Sequence, residues 1–160
     1  MDAHVYTCAF YDWLLREFGR NSFDNQGASM ISSVDWTGTQ YGAFWTGSQT
    51  VYPVYDQFTR SWAACPDVVG HEWGHAITDY CGVLVYTWES GAINEAFSNM
   101  IGAAFEFAHD TLDPPDWYLG ENAVKFGVGT SSMSNPEEFQ HPSYYGGPYW
   151  VNPDGCIPAP

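Results

Sequence analysis

At 160 residues the chain has the size of one domain and can bury a substantial core, since a domain of about 150 residues hides ~70% of its unfolded surface. Its 19 Asp and Glu against 4 Lys and Arg give a formal net charge of −15, which argues against binding to nucleic acid or to an anionic membrane surface. Aromatic residues make up 18% of the chain, which excludes a disordered composition. The acidic surplus either serves solubility or marks sites for hard cations such as Ca²⁺.

Neither a membrane span nor a leader is visible in the sequence. No apolar run approaches the ~20 residues that cross a bilayer. No charged segment followed by an apolar one opens the chain, as it does in a signal peptide. We therefore expect no membrane partner, and secretion has to be argued from other features.

The four cysteines, Cys8, Cys65, Cys81 and Cys156, are too widely spaced for a Cys-x-x-Cys metal site. If they are oxidised, they allow three complete pairings. A helix over residues 67–80 would hold Cys65 and Cys81 ~20 Å apart, whereas the Cα atoms of a disulfide lie within ~7 Å. We therefore expect that these two do not pair with each other.

The first third of the chain predicts one helix and two strand regions. Apolar residues recur at helical spacing over residues 3–18, and Gly19 follows as a stop. Residues 30–36 and 41–54 are rich in Val, Ile, Tyr, Trp and Thr, with a tight turn expected at Thr46-Gly47-Ser48. We expect a hairpin that leads towards the next helix.

Two further helices are predicted in the middle of the chain. Residues 67–80 carry an apolar stripe, and a second stripe runs from Glu89-Ser90 to residue 108. Helices joined by a short loop pack antiparallel, so Glu95 can face the first of the two. Eight of the ten prolines lie from Pro114 onward, which predicts irregular chain there.

The first of these two helices carries the pentapeptide His71-Glu72-Trp73-Gly74-His75. Its histidines are four residues apart, so on a helix they share one face and can bind the same ion. Neutral imidazoles suit zinc, and Glu95 is a candidate third ligand. Three protein ligands leave a fourth zinc position for water, which distinguishes a catalytic site from a closed structural one.

A longer pattern surrounds the pentapeptide. Residues 71–80, then Tyr86, then residues 89–96 resemble the thermolysin family of zinc endopeptidases, and the similarity runs from about residue 2 to about residue 154. The resemblance implies that Glu72 is the general base and that Tyr86 donates a hydrogen bond to the oxyanion. It also implies that the Ala43 carbonyl pairs with an extended substrate. The implied zinc ligands are His71, His75 and Glu95.

The same resemblance implies a calcium site. Four acidic residues fall on positions similar to the family's calcium cluster: Asp67, Glu106, Asp116 and Glu121. Converging carboxylates repel one another without a cation. Calcium would then order the Pro-rich segment against the two zinc helices. The alternative is that these are unconnected surface acids in an acidic chain.

Several positions depart from the family pattern. Asn99 stands where the family usually has an aspartate that holds the first zinc histidine, and such changes cost ~10- to 100-fold in metal affinity or activity. Gly42 replaces an asparagine of the substrate-binding strand, and Ser131 replaces a substrate-gripping arginine. The family's second oxyanion donor, a histidine expected soon after residue 156, does not occur. Without it we expect the 160 residues to be weakly active or inactive, because one lost donor costs roughly 10² to 10³ in turnover.

The expected fold is α+β and zincin-like. A strand hairpin or sheet packs on the HExxH helix and on a second, glutamate-bearing helix, and a calcium-ordered irregular segment follows. We expect one partial catalytic domain over residues 1–160, divided into a helix and edge strands (1–66), zinc helices (67–109) and a calcium-binding loop region (110–160). The C-terminal helical domain of the family is expected to be absent.

The expected function is that of a secreted, zinc-dependent metalloendopeptidase that cuts polypeptides before apolar residues, with zinc and calcium as cofactors. A propeptide and the missing C-terminal domain are candidate partners, and nucleic acid and membrane are not. The rival hypothesis is a non-catalytic module that binds zinc and calcium. Another HExxH hydrolase, such as an aminopeptidase, is disfavoured because the residues after His75 match the thermolysin pattern closely.

Overall fold

Helices and short strands alternate along the chain in an α+β arrangement. A computed structural model describes residues 2–38, 41–82, 84–109 and 114–151. The helices are α1 Asp2–Phe18, α2 Pro66–Cys81 and α3 Trp88–Ala108. The strands are β1 Ser32–Trp36, β2 Phe44–Trp45, β3 Thr50–Pro53, β4 Tyr118–Leu119 and β5 Ser131–Ser132. Short 3-10 helices cover Trp62–Ala64 and Pro136–Phe139.

Helix α1 packs one face against the core, as its periodicity predicted. The buried residues of that face are Ala3, Thr7, Phe10, Trp13 and Leu14. After the helix, Gly19 adopts a φ of 63°, and its N–H donates to the Leu15 carbonyl at 3.0 Å. Glycine tolerates this left-handed conformation without steric cost, which explains why the helix ends here.

The strands β1, β2 and β3 form one small sheet. β2 and β3 pair antiparallel as the expected hairpin, and the Thr46 N–H closes its turn by donating to the Gln49 carbonyl at 3.0 Å. β1 pairs parallel with β3, so the strand order is β1-β3-β2. β2 therefore lies at an edge of this sheet, on the side that faces α2.

Helices α2 and α3 pack antiparallel and very close together. A Cβ on Gly70 would lie 3.0 Å from the Gly102 Cα, and one on Gly74 would lie 2.9 Å from the Ser98 Cα. A Cβ on Gly102 would collide with the Asp67 carbonyl oxygen. Glycine at these positions allows the backbones to touch, which brings the polar side chains of the two helices within hydrogen-bonding distance.

Aromatic side chains join the three helices in one core. Trp73 of α2 is fully buried, and its indole N–H donates to the Thr7 hydroxyl of α1 at 3.2 Å. Phe10 of α1 meets Phe105 of α3 edge to face, with ring centroids 5.1 Å apart. Aromatic pairs in this geometry stabilise a core beyond the effect of area alone. Trp73 lies in the middle of the HExxH motif, so the core fixes the helix that carries it.

Residues 114–151 contain little regular structure, as the proline content predicted. β4 and β5 form a two-stranded antiparallel ribbon. The Gly120 N–H donates to the Asp67 carboxylate of α2, and the Arg60 N–H donates to the Ala123 carbonyl at 2.6 Å. The first bond holds this segment against the start of α2, and the second holds it against the chain that precedes α2.

Cys65 directly precedes α2, and Cys81 is its last residue. The two do not pair with each other, as the length of that helix predicted. Cys156 lies outside the described residues, so the other pairings stay open. Within the described ranges, no helix combines the length and the apolar character that crossing a bilayer requires.

Candidate metal and active site

Two histidines of α2 and one glutamate of α3 converge on a common point. The Nε2 atoms of His71 and His75 lie 2.9 Å apart. Glu95 places Oε2 3.4 Å from His71 Nε2 and Oε1 3.6 Å from His75 Nε2. Zinc bonds of about 2.1 Å at a tetrahedral angle separate neighbouring ligand atoms by roughly 3.3 Å. The three side chains therefore fit one zinc ion.

These side chains open into a pocket of about 530 Å³ between β2 and the helix pair. The pocket is lined by every residue that the resemblance implied as a zinc ligand, as the general base, as the oxyanion donor or as the backbone that pairs with substrate. These residues are Ala43, His71, Glu72, His75, Tyr86 and Glu95. A pocket of this size, in which several polar groups converge on one point, is a candidate binding or active site.

Glu72 lies beside the metal-binding residues without joining them. Its side chain is 4% exposed, and Oε2 has no hydrogen-bond partner. Burial raises the pKa of its carboxyl to about 7, and the charge of Glu95 acts in the same direction. The Trp45 N–H of β2 interacts with the same carboxylate. A buried carboxyl that is free on one side, with a pKa near neutrality, is suited to accept and return a proton.

The ring of His75 is held by two polar side chains of α3. Its Nδ1 lies 2.7 Å from Asn94 Oδ1 and 3.1 Å from Ser98 Oγ. Asn94 Oδ1 also accepts the Thr78 hydroxyl at 2.9 Å. Because that oxygen is an acceptor, the hydrogen of the imidazole is on Nδ1. The lone pair of Nε2 is then free for a metal.

His71 has a different partner on α3. Glu95 of that helix places Oε2 3.4 Å from His71 Nε2, and Asn99, half-buried on the same helix, lies near the His71 ring. The helix packing agrees with this position of Asn99. A Cβ on Gly102, three residues further along α3, would lie 3.3 Å from the His71 backbone nitrogen.

Tyr86 projects into the pocket from the loop before α3. Its hydroxyl donates to the Glu95 carboxylate, and its ring lies edge-on to His75 with centroids 5.7 Å apart. The side chain is 62% exposed. A phenol hydroxyl at this point can donate to an oxygen that develops charge beside the metal.

The edge strand β2 forms the opposite wall. The Trp45 indole N–H donates to the Asp79 carboxylate of α2 at 2.6 Å, which fixes the strand against the helix. Gly42, just before the strand, has a φ of 80°, a value that glycine and asparagine adopt more readily than other residues. Ser131 of β5 pairs with Leu119 of β4, and it does not line the pocket.

A second group of acidic side chains lies at the other end of the helix pair. Carboxylate oxygens of Asp67, Glu106 and Glu121 lie within 4.8 Å of one another. Asp67 is fully buried and Glu106 is 2% exposed. Burial, reinforced by their mutual repulsion, raises the pKa of Glu106 to about 8 and that of Glu121 to about 7. Asp116 lies nearby, and its carboxylate accepts the Tyr118 N–H at 2.6 Å.

Unpartnered oxygens test whether these two groups fit metals. Within the described part of the chain, seven buried polar side-chain atoms have no hydrogen-bond partner, and four of them lie at these sites: Asp67 Oδ1, Glu72 Oε2, Glu106 Oε2 and Glu121 Oε2. Clustered carboxylate oxygens are the ligands that calcium prefers. The acidic group therefore fits calcium, and the group of two imidazoles and one carboxylate fits zinc.

Sequence reasoning missed the residues that orient His75. Asn94 is 2% exposed and Ser98 is fully buried, and both lie on the face of α3 that packs against α2. Buried polar groups need partners, so two polar residues four apart on a buried helical face are a signal that could have been read. Asp79, for which the sequence analysis predicted no role, also lines the pocket.

Comparison with known proteins gives matches over nearly the whole chain. A family model for the thermolysin metallopeptidase catalytic domain matches residues 1–79, and one for the thermolysin metallopeptidase alpha-helical domain matches residues 82–156. Bacillolysin from Bacillus cereus is 39% identical over 158 residues, which are 96% of this chain and 28% of that protein. Thermolysin from Alicyclobacillus acidocaldarius subsp. acidocaldarius is 41% identical over 149 residues, 91% of this chain and 27% of that protein.

A solved structure is also similar. The precursor of protealysin, a metalloproteinase from Serratia proteamaculans, superimposes with a TM-score of 0.75 at 36% sequence identity. The superposition covers 83% of this chain and 43% of that chain. The chain thus spans less than a third of the length of the two curated relatives above.

One expectation is wrong. We expected the C-terminal helical domain to be absent because no helical pattern follows residue 110. The alpha-helical domain model nevertheless matches residues 82–156, a range that begins before α3. The sequence argument had assigned that helix to the catalytic domain, because α3 packs against the HExxH helix and supplies Glu95.

Proposed function

Because the chain belongs to the thermolysin metallopeptidase family, we propose that it is a zinc-dependent endopeptidase unit that hydrolyses peptide bonds within polypeptides. The metals of this family are zinc and calcium, and the residues present fit both. One observation carries the proposal. The buried, unpartnered oxygen of Glu72 lies in the same pocket as His71, His75 and Glu95.

The proposed roles follow from the chemistry of each group. Zinc held by His71, His75 and Glu95 would supply Lewis acidity that lowers the pKa of a water to ~7. Glu72 accepts the proton of the attacking water at Oε2, where no protein group competes for it. The protonated carboxyl then returns this proton to the leaving amine. A pKa near 7 suits both directions of transfer.

Tyr86 and β2 position the substrate in this proposal. The Tyr86 hydroxyl donates to the oxygen of the carbonyl under attack. An extended peptide pairs with the backbone at Ala43, because β2 is an edge strand beside the pocket. Cleavage before apolar residues is the specificity that the resemblance implies. Turnover is expected to be low, because among the pocket residues described we assign only Tyr86 to the oxyanion, and its hydroxyl must leave the Glu95 carboxylate to serve there.

Replacing Tyr86 with Phe is expected to lower kcat by roughly 10² to 10³ with little change in KM. The ring keeps its contact with His75, and the donor alone is lost. Steady-state kinetics on an internally quenched peptide measure the effect, and Tyr149→Phe is the matched control at an exposed site. An unchanged kcat in the Tyr86 variant would remove this residue from the mechanism.

The proposed activity is tested on the purified chain. Hydrolysis of casein and of an internally quenched peptide is followed with zinc and calcium present, and again after a chelator has removed zinc. We expect slow internal cleavage that requires zinc and that resumes when zinc is restored. Zinc binding at one equivalent without any cleavage would contradict the proposal.

A second candidate function is a non-catalytic zinc- and calcium-binding module. One observation favours it: the described lining of the pocket contains no Lys or Arg side chain that could hold the substrate backbone. This module would bind both metals and a polypeptide without turnover. Peptide binding by the zinc-loaded chain, measured in parallel with cleavage, separates the two functions.

We place the protein outside the cell in this proposal, since the chain belongs to a family of proteases with secreted members. Its partners would be polypeptide substrates and, as the similarity to the protealysin precursor suggests, a propeptide. Peptide cleavage in the medium of cells that express the complete gene would test the location.

A further inference from the structure

The side of α3 that points away from α2 is apolar along most of the helix. Asn94, Ser98 and Gly102 face α2, so the opposite side of α3 faces solvent. Over residues 90–108, all of which the structure describes, every exposed side chain is apolar. These residues, the α3 outer face, are Ala92, Ile93, Ala96, Phe97, Met100, Ala104, Phe107 and Ala108. Surface helices ordinarily present polar side chains to water, so this face has the composition of one that another chain covers.

The α3 outer face is large enough for a specific interface. Ile93 and Met100 are each 57% exposed, and Phe107 is 45% exposed. Trp117, 54% exposed, extends the face, because its ring centroid lies 4.8 Å from that of Phe107. Together with Phe97, these large side chains present on the order of 500 Å² of apolar surface. Two such faces in contact would bury about 1,000 Å² before the alanines are added, which is what a biological interface requires.

The residues of the α3 outer face are arranged symmetrically in size about Met100. Seven positions to either side stand the large residues Ile93 and Phe107, and four positions to either side stand Ala96 and Ala104. In an antiparallel pair of α3 helices with its two-fold axis at Met100, Ile93 lies level with Phe107 of the second copy, and Ala96 lies level with Ala104 of that copy. The small residues let the backbones approach, and the large ones cover them. A two-fold interface needs this self-complementarity, because the same surface serves both copies.

The charge of the chain lies away from this face. The two acidic residues within residues 90–108, Glu95 and Glu106, turn towards α2 and belong to the two candidate metal groups. The net charge of −15 therefore acts between two copies over a distance, and salt at physiological concentration screens it within about 8 Å. Contact through the α3 outer face also leaves the pocket open, because the pocket is on the Glu95 side of the helix.

We propose that the α3 outer face binds the same face of a second copy of this chain and forms an antiparallel two-fold dimer centred on Met100. The inference does not depend on the proposed peptidase function, because the face is separate from the pocket and contains no residue of the proposed mechanism.

Sedimentation equilibrium of the chain loaded with zinc and calcium tests the proposal. We expect the mass to rise from that of one chain to twice that value as protein concentration rises from about 1 to about 200 µM. Met100→Glu should weaken association by at least about 10-fold, because it brings two carboxylates together at the two-fold axis. Leu15→Glu is the matched control: it makes a similar change at an exposed residue of α1 and should associate as the wild type does.

A pair of charge substitutions tests the antiparallel arrangement. Ala96→Lys and Ala104→Glu should each weaken the dimer, because each brings a charge to an apolar contact. The double variant should regain part of the affinity, since the new lysine of one copy lies level with the new glutamate of the other. Added salt should strengthen the wild-type dimer, because it screens the repulsion between two negative chains.

Three results would overturn the proposal. The first is a chain that remains a monomer throughout this range, which would leave the α3 outer face to a different partner. The second is a dimer that Met100→Glu does not weaken, because its interface would then lie elsewhere. The third is growth beyond two copies, because a two-fold interface closes at the dimer.

Discussion

Replacing Glu72 with Gln is expected to lower peptide hydrolysis by at least about 10²-fold, and by up to about 10⁴-fold, while leaving zinc binding unchanged. Gln has the same shape, but it cannot accept a proton. The side chain lies outside the group of His71, His75 and Glu95, so the metal ligands stay intact. Initial rates on an internally quenched peptide measure the loss, and metal content by atomic absorption shows that zinc is retained.

The control for this variant is Glu89→Gln, the same chemical change at an exposed residue in the first turn of α3. We expect its activity to equal that of the wild type. Full activity in the Glu72 variant would refute the assigned base. Loss of zinc together with activity would show that Glu72 is a ligand, contrary to the geometry described above.

Removing calcium is expected to destabilise the chain strongly. Asp67, Glu106 and Glu121 are held together, and without a cation their carboxylates repel one another. At a free Ca²⁺ concentration 1,000-fold above the dissociation constant, binding to the folded state adds about 4 kcal/mol. For a chain of this size that corresponds to a rise in Tm of roughly 8 to 16 °C. Thermal melts in calcium and in EGTA measure the difference.

The calcium effect should grow as pH rises. In the calcium-free protein, burial raises the pKa of Glu106 to about 8 and that of Glu121 to about 7, above the ordinary value of 4.5. Between pH 4.5 and 8, the folded state therefore keeps protons that the unfolded state has released. Raising the pH through this window then favours unfolding. Melts in EGTA should show a Tm that falls from pH 5 to pH 8, whereas calcium should remove most of that fall.

A substitution separates repulsion from calcium binding. In EGTA at pH 8, Glu106→Gln should melt at a higher temperature than the wild type, because one of the repelling charges is gone. It should gain less from calcium, because a ligand is gone too. Glu89→Gln should behave as the wild type in both buffers. A Glu106 variant that responds fully to calcium would place the ion elsewhere.

The helices and the zinc group could be predicted from the sequence because their signals are local. Apolar periodicity located α2 and α3, and the spacing of His71 and His75 put both on one helical face. The position of Glu95 required only that two helices joined by a short loop pack antiparallel. The resemblance to the thermolysin family, which rested on these same residues, is confirmed by the family models.

Contacts between distant segments could not be predicted in this way. The parallel pairing of β1 with β3 depends on how the hairpin folds back against the strand that precedes it, and alternation within a strand does not specify this. The contact of Asn94 with His75 depends on how closely two helices approach, which follows from the glycines at their crossing. The error about the helical domain has a similar origin, because periodicity finds a helix and does not say to which domain it belongs.

The close contact of α2 with α3 would make ions bound at the two candidate metal sites dependent on each other. The zinc group takes His71 and His75 from one helix and Glu95 from the other, and the calcium group takes Asp67 and Glu106 from the same two helices. An ion at either end therefore holds the helices at the spacing that the other ion needs. Binding free energies coupled in this way are reciprocal, so calcium raises the affinity for zinc by the same factor as zinc raises that for calcium. With both ions bound, the helix pair would act as one rigid element that couples the two sites.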